Sequence, residues 1–425
     1  MNEFETPVLV IVDGYSSGSQ LPGLMKDLDW KCIHVSSLLN PPSYYLDSYR
    51  QTDYDASFKH NDNFEELVVE LNKFNVKAVL PGTESGVILA DKLAEALKLI
   101  GNPTSTSTAR RNKYEMHNAV KAAGLRSADH ILTNSFEELL AWAQQGAWPV
   151  VMKPPASAGT DSVIFCKDPE ELKATFGRLL GSMNQLGERN DSVLVQRLLI
   201  GQEYFVNGIS GKGKHVITEV WRTDKVKIPG AGLIYDRSVL FDPEDPQVSQ
   251  ITDYVCEVLC ALGVTYGANH TEIMVTKDGP VLIESASRLS GGLNRPAANH
   301  AVIGSQLDLV AKLVTQGEEF IEELSSSKQG LRSPLWQVQF IAKKSGRVLE
   351  TKTDELVSKL ESKTWIQRAP KAGDTLERTV DLFSSPGIIF MSHQDTDVLQ
   401  KDYDTIRSWE EQNKLFVVES ELITE

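Results

Sequence analysis

Residues 270–288, HTEIMVTKDGPVLIESASR, carry an apolar run on each side of Asp278-Gly279, the strongest short-range signal for a β-hairpin. A three-residue loop, Lys277-Asp278-Gly279, puts glycine at the left-handed third position and sets Thr276 against Pro280. In that register Glu272 lies directly opposite Glu284 on one face, whereas a two-residue loop would send the two to opposite faces. Pro280 becomes the first residue of its strand, where proline is tolerated. Two opposed carboxylates destabilise a hairpin by up to roughly 1 kcal/mol, so the pair calls for a neutralising group. A hard divalent cation is one, since magnesium takes one or two carboxylates plus substrate phosphates. A solvated polar face with unrelated charges is the other reading. His270 shares the face of Glu272 and reads as a packing neighbour that steadies the pair rather than as a ligand.

The chain has 425 residues, 41% of them hydrophobic, which is enough for two to four domains. Lys+Arg 43 against Asp+Glu 58 leaves a net charge of −15, which argues against a nucleic-acid backbone or an anionic membrane as the main partner. Residues 1–14, MNEFETPVLVIVDG, lack a basic leader, and no segment has eighteen uninterrupted apolar residues, so a cytoplasmic protein is expected. Cys32, Cys166, Cys256 and Cys260 show no metal-ligand spacing and read as reduced core residues.

The first hundred residues predict a small doubly wound α/β domain. PVLVIVD (7–13) opens a strand–turn–helix unit, 31–35 and 76–80 read as strands, and a helix lies between them from Asn63 to Phe74. GxGxxG is absent, so there is no dinucleotide fingerprint. Helices are expected over 107–124, 135–145, 169–180, 247–262, 301–316 and 397–413. Between 148 and 221 short β-rich runs separated by turns predict an antiparallel α+β region. The polar stretch 322–334, EELSSSKQGLRSP, reads as a linker to a last unit with strands QVQFIA and GIIFMS.

A second segment carries chemistry. In 150–164, VVMKPPASAGTDSVI, a strand ends in Lys153 and a loop of small residues follows. Such a loop lets backbone N–H groups approach phosphate oxygens, and the lysine supplies a point charge for the same anion. It is no Walker A motif, which places its lysine after the glycines and opens a helix.

The lysine loop and the paired carboxylates some 120 residues later resemble, in order and spacing, the ATP-grasp superfamily. The resemblance covers most of the chain. It implies an α/β domain over 1–108, an ATP-grasp domain over 109–327 with a lid at about 148–206, and a small C-terminal α+β domain over 328–425. RNKYEMHNAVKAAGL is similar to the family's nucleotide helix, which gives Lys113 and Lys153 to the nucleotide, together with Ser157, Gly159 and Thr160 of the lid loop. LVQRLLIGQEYFVNG is similar to the hinge strand, with Gln196, Arg197 and Leu199 along the adenine edge and Glu203 on the ribose. Glu272 and Glu284 match the metal ligands and Arg288 the arginine of the last motif.

One position departs from the pattern. Many members read Glu-x-Asn-x-Arg, and ESASR carries Ala286 where the asparagine would give metal another oxygen. HTE followed by IESASR looks like the variant in bacterial L-amino acid ligases, and GTESGV (82–87) fits the same branch. Glu84 follows a strand at the carboxyl end of the first sheet, where open α/β sheets place ligands, and could hold a substrate ammonium. Gly291 and Gly292 bring backbone amides close to a bound carboxylate or oxyanion, with Arg288 adding a planar cation.

The resemblance implies an enzyme that uses ATP and Mg²⁺, or Mn²⁺, to join a carboxylate to an amine through an acyl phosphate. Arg288, Lys153 and Gly291 take the catalytic roles, two amino acids are the substrates, and a homodimer is expected. Another ATP-grasp ligase, a biotin-type carboxylase and a non-catalytic nucleotide-binding protein stay open as alternatives.

Overall fold

The computed structural model describes residues 6–61, 63–156, 163–184, 187–228, 233–317, 319–328, 330–381 and 384–419. Four parallel strands in the order Ala56–Lys59, Lys31–Ser36, Val8–Val12, Val76–Pro81 form the first sheet. The Val8–Val12 strand is fully buried, as its unbroken apolar run requires for a sheet covered on both faces. The chain leaves Val8–Val12 toward one side, then crosses back to add Val76–Pro81 on the other. That reversal opens a crevice at the strands' carboxyl ends, where Asp13 and Glu84 sit. The 56–59 strand escaped the sequence reading because ASFK is short and half exposed.

A four-stranded antiparallel sheet, His130–Thr133, Val193–Arg197, Val150–Lys153, Ile164–Cys166, carries helices Phe136–Gln144 and Pro169–Leu179. Beside it runs an eight-stranded sheet in the order 279–286, 267–276, 202–211, 214–227, 233–241, 335–339, 388–392, 363–368. This sheet crosses the boundary expected at 327/328, because Leu233–Phe241 pairs with Leu335–Gln339. Arg407 of helix Thr396–Glu411 ties the two parts further by gripping Asp236 at 2.7 Å. The expected linker is partly helical. Glu319–Ser326 forms a helix that buries Phe320, Ile321 and Leu324, an i, i+1, i+4 apolar stripe that the surrounding serines and glutamates obscured. The cysteines are all free, but Cys260 is exposed rather than in the core.

The hairpin reaches its predicted pairing by a different route. Gly279 takes φ +111°, as expected, yet it pairs with Thr276, so only Lys277 and Asp278 stand outside the ladder. Continued unbroken, that register would set Glu272 opposite Ile283 and split the carboxylates between two faces. A bulge at Ile283 adds one residue, and Glu272 then faces Glu284, Thr271 faces Ser285 and His270 faces Ala286. Tyr254, from helix Ser249–Ala261, accepts the Leu282 N–H at 2.9 Å beside the bulge.

Candidate active site

One face of the eight-stranded sheet collects the chemistry, because alternate residues of neighbouring strands share a side. The ladder pairs Met274 with Glu203, Glu272 with Phe205 and His270 with Asn207, and across the next strand Asn207 with Glu219, Phe205 with Trp221 and Glu203 with Thr223. The face therefore runs from Glu203 and Lys225 at one end, past Glu272 and Glu284, to His270, Asn207 and Glu219 at the other.

Lys113 opens helix Lys113–Ala122, where the helix dipole disfavours a cation. Asn112 caps the helix by accepting the Tyr114 and Glu115 N–H groups, and Met116 and Val120 bury its inner face. The lysine is nevertheless buried, and its Nζ lies 2.9 Å from Glu284 Oε1. Its backbone N–H donates to the Pro155 carbonyl at 2.8 Å, which fixes the helix start to the entry of the lid loop. An ordinary surface lysine would not be placed this way, so local electrostatics point to a function for it.

Lys153 ends its strand and is buried, with no carboxylate at ion-pair distance among the described residues. Burial, and then the neighbouring Lys113 charge, lower its pKa to about 8, while Glu284 and Glu272 work in the other direction. A buried ammonium left short of counter-charge is what an incoming phosphate would satisfy. Ser157, Gly159 and Thr160 of the lid loop lie outside the described residues.

Glu203 is held by Lys225 at 2.6 Å and accepts the Tyr235 hydroxyl at 3.3 Å. Burial pushes its carboxyl up, and the Lys225 charge opposes this. Lys225 also lies 4.4 Å from the centre of the Tyr235 ring. Glu272 shows the opposite balance. Burial acts to raise its carboxyl, but the hydrogen bond and charge of His270, with Lys225 and Arg288 further off, hold it down at about 2. Glu272 thus stays anionic, and Glu284 stands opposite it on the same face. Two hard carboxylate ligands on one face suit magnesium, which takes one or two carboxylates plus phosphates, so the residues present fit that ion.

Gln196 is buried, and its Nε2 has no hydrogen-bond partner, an orphan amide next to the crossing from one sheet to the other. Leu199 lies in that crossing, half buried, between strands Val193–Arg197 and Gln202–Gly211. Arg197 corrects its expected role. Its guanidinium lies 4.0 Å from the Trp142 ring centre and donates to the Trp142 and Ala143 carbonyls at 2.7 and 3.0 Å, capping helix Phe136–Gln144 instead of facing a nucleotide.

At the far end the first domain contributes Glu84, buried at the start of a short 3₁₀ turn. Its Oε2 accepts from Arg288 Nε at 3.2 Å, and Arg111 Nη1 stands 3.9 Å from Oε1. Glu84 Oε1 and Arg111 Nη1 are both buried without hydrogen-bond partners. The carboxylate expected to hold a substrate ammonium is flanked by two arginines, and its Oε1 makes no hydrogen bond. Gly292 takes φ +67° and Gly291 has open space where a Cβ would stand, so the first glycine meets a backbone need and the second leaves room. Arg111, Asn207, Glu219, Lys225 and Tyr235 were missed in the sequence. Period-2 counting from Glu219 through Trp221 and Thr223 to Lys225 would have found the lysine had the strand been extended beyond Trp221.

The chain matches the ATP-grasp domain model over residues 147–296. It is 33% identical over 408 residues to dapdiamide A synthase of Enterobacter agglomerans, covering 95% of this chain and 96% of that protein. It is 20% identical over 215 residues to the L-arginine-specific L-amino acid ligase of Bacillus subtilis, covering 50% of this chain and 52% of that protein. The crystal structure of an L-amino acid ligase from Bacillus licheniformis superposes with a TM-score of 0.74 at 17% identity, over 99% of this chain and 100% of that one. With its lysines, paired carboxylates and sheet face arranged as above, the chain belongs to the ATP-grasp carboxylate–amine ligases, enzymes that form C–N bonds at the expense of ATP.

Proposed function

We propose that the protein condenses two L-amino acids to a dipeptide through an acyl phosphate, releasing ADP and phosphate. The observation that carries this reading is the Glu84–Arg288–Arg111 group beside the carboxylate pair, a zwitterion-sized arrangement of one anion and two cations. Glu84 Oε1 takes the ammonium of one amino acid while Oε2 stays on Arg288. Arg111 Nη1 and the backbone at Gly291 and Gly292 are left for a carboxylate or a developing oxyanion.

Joining a carboxylate to an amine in water is uphill, so the carboxylate oxygen must first become a leaving group. Lys153 and Lys113 hold the phosphates, Glu203 the ribose hydroxyls, and Gln196 with the chain near Leu199 the base. Glu272 and Glu284 would hold Mg²⁺, which offsets phosphate charge, and Mn²⁺ would serve the same oxygen donors. On this reading Lys113 exchanges Glu284 for a phosphate oxygen when nucleotide binds. The donor carboxylate is then held for in-line attack on the γ-phosphorus, and an acyl phosphate and ADP result. Next the amine of the second amino acid attacks the acyl carbon, Arg288 and the Gly291 region stabilise the oxyanion, and phosphate leaves.

A homodimer and a cytoplasmic location belong to the same reading. Among the described residues no helix is long and apolar enough to cross a membrane. The test is a phosphate-release screen over all pairs of the twenty amino acids with ATP and Mg²⁺, with mass spectrometry of the products. Absence of phosphate release with every pair would refute the dipeptide reading.

A further inference from the structure

In the hairpin ladder the imidazole of His270 faces Ala286, the position where the Glu-x-Asn-x-Arg pattern carries a side-chain oxygen for metal. Its hydrogen bonds fix which ring nitrogen is free. Glu219 Oε2 accepts from Trp221 Nε1 at 2.8 Å and from Asn207 Nδ2 at 2.7 Å. With the Glu219 carboxyl ionised, or with its proton on Oε1, Oε2 accepts from both, and the Asn207 amide points its Nδ2 there. Asn207 Oδ1 therefore faces His270 Nδ1, at 2.8 Å, and Nδ1 must carry a proton. Nε2 is the nitrogen left facing Glu272, 3.5 Å from its Oε1; in the charged ring its proton bonds the two, and in the neutral ring Nε2 presents its lone pair there. A lone pair and a carboxylate oxygen side by side repel each other unless a proton or a cation stands between them.

We infer that His270 Nε2 is a third protein ligand for the cation held by Glu272 and Glu284, replacing the oxygen that Ala286 removes. The inference rests on the reading of those two carboxylates as metal ligands. Asn207 and Glu219, both buried, act as the outer partners that a metal-binding histidine requires on its other nitrogen. In the resting geometry Glu284 leans on Lys113, and no three His, Cys, Asp or Glu side chains converge at metal-holding distance among the described residues. Release of Glu284 from Lys113 by an incoming phosphate completes the set. A nitrogen ligand shifts preference toward Mn²⁺ relative to Mg²⁺, because imidazole suits later divalent metals better than hard magnesium.

The test uses Mn²⁺ with a non-hydrolysable ATP analogue and reads the metal directly by pulsed EPR. The full-length protein is expected to show strong ¹⁴N modulation from an imidazole on manganese, converted to ¹⁵N coupling in protein labelled with ¹⁵N-histidine. His270→Gln should lose the coupling and weaken Mn²⁺ binding by about tenfold or more. Bound manganese without imidazole coupling in the unsubstituted protein would overturn the inference and leave the carboxylate reading intact. That measurement needs no variant to fold. Glu272→Gln separates the two claims: Mn²⁺ affinity unchanged in that variant would overturn the reading on which the inference rests.

Discussion

Lys153→Met removes a buried charge while keeping most of the side-chain volume. In the folded chain the ammonium has a pKa of about 8 against its ordinary 10.5, chiefly through burial and secondarily through the Lys113 charge. The unfolded chain therefore binds this proton more tightly than the folded one, and charged Lys153 opposes folding at neutral pH. The difference is worth about 3 kcal/mol at pH 7, is relieved as pH rises from 8 toward 10.5, and has fallen to about 1.4 kcal/mol by pH 9.5. Methionine carries no such penalty. The variant should be more stable than the parent at pH 7, by up to about 3 kcal/mol, and the gap should narrow by about 2 kcal/mol at pH 9.5. Paired urea unfolding midpoints at the two pH values measure it. Function should move the other way. Loss of a charged hydrogen bond to phosphate costs roughly 1.5–3 kcal/mol, or about ten- to a hundredfold in ATP affinity by calorimetry. Near pH 8.5 ATP binding to the parent should take up a proton at Lys153, seen as a buffer-dependent binding enthalpy that the variant lacks. A variant less stable than the parent by the same amount at both pH values would refute the picture of a strained ammonium awaiting an anion.

Three further substitutions separate roles at and around the site. Glu203→Gln should weaken ATP by about tenfold and abolish discrimination against 2′,3′-dideoxy-ATP in calorimetric titrations; retained discrimination would remove Glu203 from the ribose. Arg197→Ala should cost about 2 kcal/mol of stability, from its stacking on Trp142 and its two carbonyl hydrogen bonds, and leave the KM for ATP within about threefold, as urea unfolding and steady-state kinetics would show. Glu84→Gln should raise the KM of one amino-acid substrate by about tenfold or more with the KM for ATP unchanged. An equal rise in both constants would assign Glu84 to domain packing instead.

The parts of the site that the sequence revealed are those fixed by local rules. Glu272 and Glu284 could be paired because apolar runs on each side of Asp278-Gly279 define a hairpin, and Lys153 could be placed because a β-rich run stops at a small-residue loop. Even there the register came from compensation: a shorter loop and a bulge at Ile283 cancel, and the continuous apolar run Val281-Leu282-Ile283 does not mark where the bulge falls. What stayed hidden depends on contacts between segments far apart in the chain. Arg111 meets Glu84 only once the start of the nucleotide helix packs against the first sheet. Asn207, Glu219 and His270 meet only across three strands. The direction of the Arg197 side chain was hidden for a related reason. Successive strand residues point to opposite faces, so the Gln196 and Arg197 side chains cannot both face one ligand. The linker over 322–334 is read from composition, which is blind to a sheet that continues through Leu233–Phe241 into Leu335–Gln339.

Following oxygen through one turnover tests the central claim most directly. With a donor amino acid labelled with ¹⁸O in its carboxylate, the acyl-phosphate account predicts one ¹⁸O in each phosphate released, ADP equal to phosphate, and an amide product in the same amount. Release of AMP and pyrophosphate, or of phosphate without label, would contradict it.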